Sequence, residues 1–142
     1  NLTVANHAVD SALPVSVDVT LQGATEGQAH RVSVSFNGAS IGEMNFSGQA
    51  NVTNTFPVDS SLLTEGANTV TLTALEADND VSVVQSIALH YPHTYVADQN
   101  WLRATAPSGS SIHITGFTGP QIHLYDITDP LAITDLTGSV RP

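Results

Sequence analysis

The chain has 142 residues, 3 Lys+Arg against 13 Asp+Glu, a formal charge of -10, six histidines and no cysteine; the three cations are all arginine. That balance argues against nucleic acid and against anionic membrane surfaces, both of which require clustered cations. The missing thiol excludes cysteine nucleophiles, dithiol redox chemistry and cysteine-bound zinc, and no apolar run is long enough to span a bilayer. No signal-peptide pattern opens the chain, so any such peptide is expected to lie outside these residues. The length predicts one domain over residues 1–142.

Thr, Val and Ser make up 16, 15 and 14 residues, whereas Glu and Lys together total 4, a bias towards strand. Val15, Val17, Val19 and Leu21 alternate with Ser16, Asp18 and Thr20, which predicts a half-buried strand. Val32, Val34 and Phe36 repeat the pattern. Asn37-Gly38 follows, a pair suited to the positive φ values of a type I′ turn, so Ile41 to Phe46 should return as the hairpin partner. Gly48 then starts another reversal. Asp59 to Thr64 reads as a single helical turn capped by Asp59 or Ser60 and ended by Gly66.

Val70 and Leu72 alternate with threonines, and Val81, Val83, Ile87, Leu89 and Tyr91 share a parity that Gln85 breaks. Asp78-Asn79-Asp80 reads as a hairpin loop between them. Pro92 marks an edge crossing. Beyond it, Trp101 to Thr105, Ser111 to Thr115 and Gln121 to Ile127 are predicted as shorter strands, with Phe117-Thr118-Gly119-Pro120 as a hairpin loop; residues 131–142 read as an exit strand or a linker to a following domain. Nine to eleven strands without a βαβ unit imply an all-β, antiparallel β-sandwich of jelly-roll type.

Two segments carry a family resemblance. SVSFNGASIGEMNFSG followed by FPVDSSLLTEGANTVTLTAL, with Asn37, Gly38, Gly42, Leu62, Leu63, Gly66 and Asn68 at the matching positions, resembles the jelly-roll modules of the galactose-binding-like superfamily. IALHYPHTYVADQNWLRATAP, then IHITGF and IHLYDITDPLAITDL, resembles the β-sandwich region that precedes the catalytic domain of gingipain-like secreted cysteine peptidases. Tyr91, Pro92, Gly116, Phe117, Tyr125, Asp126, Asp129 and Pro130 fit that pattern, and His93 stands where it has arginine. The resemblance implies a secreted or cell-surface accessory module, structural or substrate-positioning, whose partners are neighbouring domains of the same chain. The peptidase chemistry itself belongs to a downstream domain, because this chain lacks the cysteine.

The candidate sites are few. His113 and His123 flank the predicted Phe117 hairpin, and an odd-length loop would set them opposite one another as a metal-binding pair; an exposed polar pair explains the same pattern, and no metal site is assigned. His90 and His93 straddle Pro92 and need not point together. Asp78-Asn79-Asp80 and Asp126-x-x-Asp129 offer oxygens to a structural calcium, although neither has the spacing of a complete calcium loop, and no cofactor is assigned. Turn chemistry explains both. No G-x-S-x-G is present and no triad stands out, so the chain reads as a non-enzyme. The alternative function is a carbohydrate-binding module in which Tyr95, Trp101 and Tyr125 supply an aromatic platform for a glycan.

Overall fold

The alternating runs of the first two thirds of the chain are strands in the computed structural model, which describes residues 1–76 and 80–137. The chain divides into two compact units, residues 1–94 and residues 95–142.

In the first unit the strands are β1 (Leu2–Val4), β2 (Val15–Gly23), β3 (Ala29–Phe36), β4 (Ala39–Ser47), β5 (Asn51–Val58), β6 (Gly66–Asn68), β7 (Val70–Ala74) and β8 (Ser82–His90). They form two three-stranded sheets, β5-β2-β8 and β4-β3-β7, and a β1-β6 pair. All of these pairings are antiparallel. Along β2 burial alternates without a break, and Val15, Val17, Val19 and Leu21 face the core. Val32, Val34, Phe36 and Met44 meet them from the second sheet, with Phe56, Val58, Val4 and Leu63 completing one cluster. Each such side chain stabilises the fold by about 1.5–3 kcal/mol, so the core sets the register of both sheets. The expected all-β sandwich is the fold observed.

Local chemistry sets the turns. Asn37 and Gly38 take φ values of 47° and 86°, and β3 and β4 pair across them as a hairpin. Where Val34 pairs Gly42 and Ser35 pairs Ser40, Ile41 is the extra residue of a bulge; Gly42 has φ 153°, and a Cβ there would lie 2.7 Å from the Phe56 ring. The helical turn is a 3₁₀ turn at Ser60–Leu62, with Asp59 Oδ1 accepting from the Ser61 N–H at 2.9 Å. Buried Asn68 then ties the approach to β7. Its Nδ2 donates to the Thr64 carbonyl at 2.7 Å, and its Oδ1 accepts from Thr64 N–H and from Asn37 Nδ2.

His30, 1% exposed, stacks on Phe46 and sets its two ring nitrogens against Asp80 Oδ1 at 2.5 Å and the Gly48 carbonyl at 3.0 Å. These contacts fasten β3 to the turn after β4 and to the residue that precedes Val81. On the outer face of the β5-β2-β8 sheet, Thr20 pairs Thr53, Thr55 donates to Asp18, and Asn51 donates to Gln22.

Several expectations are corrected here. β7 and β8 belong to different sheets and do not pair with each other as the expected hairpin requires; Asp78 and Asn79 lie outside the described residues. The break at Gln85 is a bulge. Thr20 pairs Ser86 and Leu21 pairs Val84, so Ile87 and Leu89 turn inward opposite Val19 and Val17 while Val83 sits opposite Gln22, 53% exposed.

The second unit departs further from its alternating sequence. Its strands among the described residues are β9 (Tyr125–Asp126) and β10 (Thr134–Asp135), paired antiparallel. The predicted strands Trp101 to Thr105 and Ser111 to Thr115 reduce to single bridges, Trp101 with Asp98 and Thr115 with Val96, and the third shrinks to β9. No ladder joins the two sides of the predicted Phe117 hairpin among the described residues. The physical reason is the lack of a facing layer: Ala97 is the buried hydrophobic residue of this unit among those described, and a lone pair of strands is only marginally stable in water. Part of the predicted exit segment is used as β10; residues 138–142 lie outside the described residues.

Candidate functional site

Asp98 and Trp101 exchange both backbone hydrogen bonds at 2.9 Å across Gln99 and Asn100, whose φ values of 50° and 67° define a two-residue I′ turn. Neither central residue is glycine, and a side-chain bond braces the turn. Asn100 Oδ1 accepts from the Thr118 N–H at 2.7 Å and from its hydroxyl at 3.0 Å. This braced turn presents Trp101 at 68% exposure, in keeping with the parity of its segment.

Tyr95 is tethered by its hydroxyl, which donates to the Thr105 carbonyl at 2.8 Å. Tyr125, 51% exposed on β9, stacks with His123 at 6.4 Å between ring centroids and 10° between planes. Among the described residues no ring contact joins any two of Tyr95, Trp101 and Tyr125. A cleft of about 590 Å³, lined by Ile114, Thr115, Phe117, Pro120, Ile122 and Thr137, also lies in this unit and has no counterpart among the sequence-based candidates.

The expected opposition of His113 and His123 is not formed, because the ladder that would align them is absent; His123 packs on Tyr125 instead. Among the described residues proposed for calcium, the Asp126 and Asp129 carboxylates accept hydrogen bonds from their own turns. Asp126 Oδ1 accepts from the Thr128 N–H and Asp129 Oδ1 from the Leu131 N–H, each at 2.9 Å. The Thr128 hydroxyl and N–H hold the Asp126 carboxyl below its ordinary value, and Thr137 does the same for Asp135, with a smaller contribution from His123. Asp80 is taken by His30 and by the Arg31 N–H. No group of three or more His, Asp or Glu is placed to hold a metal among the described residues.

A different cluster in the first unit escaped the sequence reading. His7 and His93 face each other across an isolated antiparallel bridge, and the Tyr91 ring lies 6.1 Å from His7 and 6.3 Å from His93. Glu65 steadies the segment: its carboxylate accepts from the Asn6 N–H at 3.1 Å and the His7 N–H at 2.6 Å. No sequence signal could have paired these histidines, since 86 residues separate them and His7 sits in no periodic run.

Comparison with known proteins gives one positive result. The family described as "Beta-galactosidase second all-beta domain" matches residues 3–80, which run from β1 through β7 to the residue before Val81. No curated protein and no solved structure matches the chain. The match covers more than half of the residues and takes in every strand of the first unit except β8, and so this chain belongs to the family of the β-galactosidase second all-β domain, an all-β accessory domain.

Proposed function

We propose that the chain is the non-catalytic positioning module of a larger secreted hydrolase, setting the distance and orientation of a catalytic domain carried elsewhere in the same protein, with residues 131–142 leading towards it. The observation that carries this reading is the accessory-family match over residues 3–80, which takes in β1 through β7 of the first unit. The side chains on the outer face of the β5-β2-β8 sheet bond one another, an arrangement that suits a rigid spacer better than a reaction centre. For the neighbouring domain we favour a gingipain-like cysteine peptidase, because the motifs around Tyr91-Pro92 and Tyr125-Asp126, which lie outside the matched range, resemble the region before that catalytic domain. A glycoside hydrolase, the neighbour suggested by the family's name, is the competing outcome.

The parent coding sequence decides between them: a downstream domain with a His/Cys peptidase pair supports the proposal, and a glycoside hydrolase domain replaces the peptidase with a glycosidase. Deleting residues 1–142 from the parent enzyme should impair turnover of a polymeric substrate and spare that of a small chromogenic one; equal loss on both overturns the positioning role.

The exposed, braced Trp101 supports a second reading, a carbohydrate-binding module. Apolar sugar faces stack on such rings. A glycan array on the isolated chain tests it, with Trp101→Ala abolishing any specific signal if the tryptophan is the contact and leaving it unchanged if it is not.

A further inference from the structure

Asn37 is the one asparagine of these 142 residues with glycine after it. An Asn-Gly pair is intrinsically prone to deamidate, because a glycine nitrogen has no side chain beside it to hinder attack on the preceding carboxamide carbon. Both residues are exposed, and a Cβ placed on Gly38 would meet nothing within 4 Å, so no neighbouring group screens the pair from water. What restrains it is the carboxamide itself.

Asn37 Nδ2 donates to the Leu62 carbonyl and to Asn68 Oδ1, each at 2.8 Å, and Asn37 Oδ1 accepts from the Thr69 N–H at 2.8 Å. Both amide hydrogens are thereby used. The partners are themselves fixed: Asn68 is fully buried and bonded to Thr64 and Gly66, and the Asn37 N–H donates to the Thr69 carbonyl at 2.9 Å. For Nδ2 to depart as ammonia two of these bonds must break, and any rotation of the carboxamide breaks the Thr69 bond as well. The contacts that tie the β3–β4 turn to the approach of β7 are therefore the contacts that hold the reaction back.

We infer that Asn37 is a deamidation site gated by the fold, silent while Leu62, Asn68 and Thr69 hold its carboxamide and converted irreversibly once that lock opens. The Gly38 amide nitrogen bonds to Asn37 Cγ as the Cγ–Nδ2 bond breaks, and Nδ2 leaves as ammonia with the Gly38 proton. Water then opens the five-membered imide to aspartate or isoaspartate. Neither product restores the lock. A carboxylate only accepts, so it faces the Leu62 carbonyl and Asn68 Oδ1 with nothing to donate, in a chain already at -10. Isoaspartate also adds a backbone carbon to a two-residue turn whose length sets the hairpin register. The site thus records time spent open, and it is independent of the positioning role and of any glycan at Trp101.

Peptide mapping by mass spectrometry of the 142-residue chain, aged at neutral pH in buffer and in urea, tests the inference. The mass gain of amide-to-acid conversion should appear at Asn37 at least about tenfold faster in urea, because in buffer only transiently opened molecules react. Asn68→Ala removes one Nδ2 acceptor and should raise the rate in buffer at least about threefold, read in samples whose amide spectrum is intact. Asn37→Asp, the product made directly, should unfold at lower urea than the unsubstituted chain. The inference is overturned by equal rates at Asn37 in buffer and in urea, by a rate in folded Asn68→Ala no higher than in the unsubstituted chain, or by an unchanged urea midpoint in Asn37→Asp. The first of these uses the unsubstituted protein alone, so it stands even if a variant fails to fold.

Discussion

Residues 1–94 and residues 95–142 draw on the same strand-forming vocabulary, threonine, valine, isoleucine and serine in alternation, and reach different ends. In the first unit the alternation is converted into two three-stranded sheets, because each apolar row meets another across the sandwich: Val17 and Val19 on β2 and Val34 and Phe36 on β3 are completely buried. In the second, Ile112 and Ile133 remain exposed, Leu131 is 97% exposed, and the paired strands are two residues long. The difference teaches that period-2 patterning supplies a face and that a second layer turns the face into a ladder.

The comparison is sharpest in hydrogen exchange. Amides of β2 and β3 should exchange at least about a thousandfold more slowly than those of residues 103–114, since the former open only with the sandwich. Equal protection would break the distinction between the units. Next in size is Phe36→Ala, which should cost about 3–5 kcal/mol in denaturant unfolding by opening a cavity at a fully buried site, whereas Leu131→Ala should change stability by no more than about 0.5 kcal/mol.

Asn68→Ala comes third. It leaves the Thr64 carbonyl and N–H without their partner and removes one of the two acceptors of Asn37 Nδ2, and a loss of about 2–3 kcal/mol is expected in the same unfolding measurement. The smallest effect is a pH dependence. The Thr55 hydroxyl, then His90, hold the Asp18 carboxyl below its ordinary value. A depressed carboxyl contributes stability above the unfolded value, and that contribution is lost as pH falls through the folded one. Carboxyl titration by NMR should show the Asp18 midpoint rising in Thr55→Val. Asp126 is held low by Thr128, two residues away, so its shift should survive mild denaturation that abolishes the cross-strand shift at Asp18.

These contrasts also explain what the sequence could disclose. Val15 to Leu21, Val32 to Phe36, the Asn37-Gly38 turn, the Asp59 cap and the discontinuity at Gln85 were legible, because each is governed by local chemistry or a two-residue period. Which strands pair was not: nothing in Val15 to Gly23 says that β5 and β8 will flank it. β5 itself, with Pro57 inside, gave no clear pattern; it is tolerated because β5 is an edge strand. The second unit misled for the opposite reason, since Ile112, Ile114, Ile122 and Leu124 alternate properly and still lack a layer to bury them. Trp101 shares the parity of Arg103 and Thr105 in the sequence, a polar row consistent with its exposure, but the turn that braces it depends on Thr118, 17 residues further on. The His7–His93 pair is a product of long-range topology alone.

The bulge on β8 has a further consequence. β8 is the outermost strand of its sheet, and Val81, Val83 and Val84, at or beside its start, are each about half exposed. A straight strand of this composition would offer another molecule an uninterrupted row of backbone donors and acceptors beside an apolar strip. Gln85 inserts a surplus residue where that strip ends, and a bulge of this kind bends and twists an edge strand, one of the ways sheet edges are blunted. One glutamine thus interrupts a valine-rich border, in a chain with no lysine to place there.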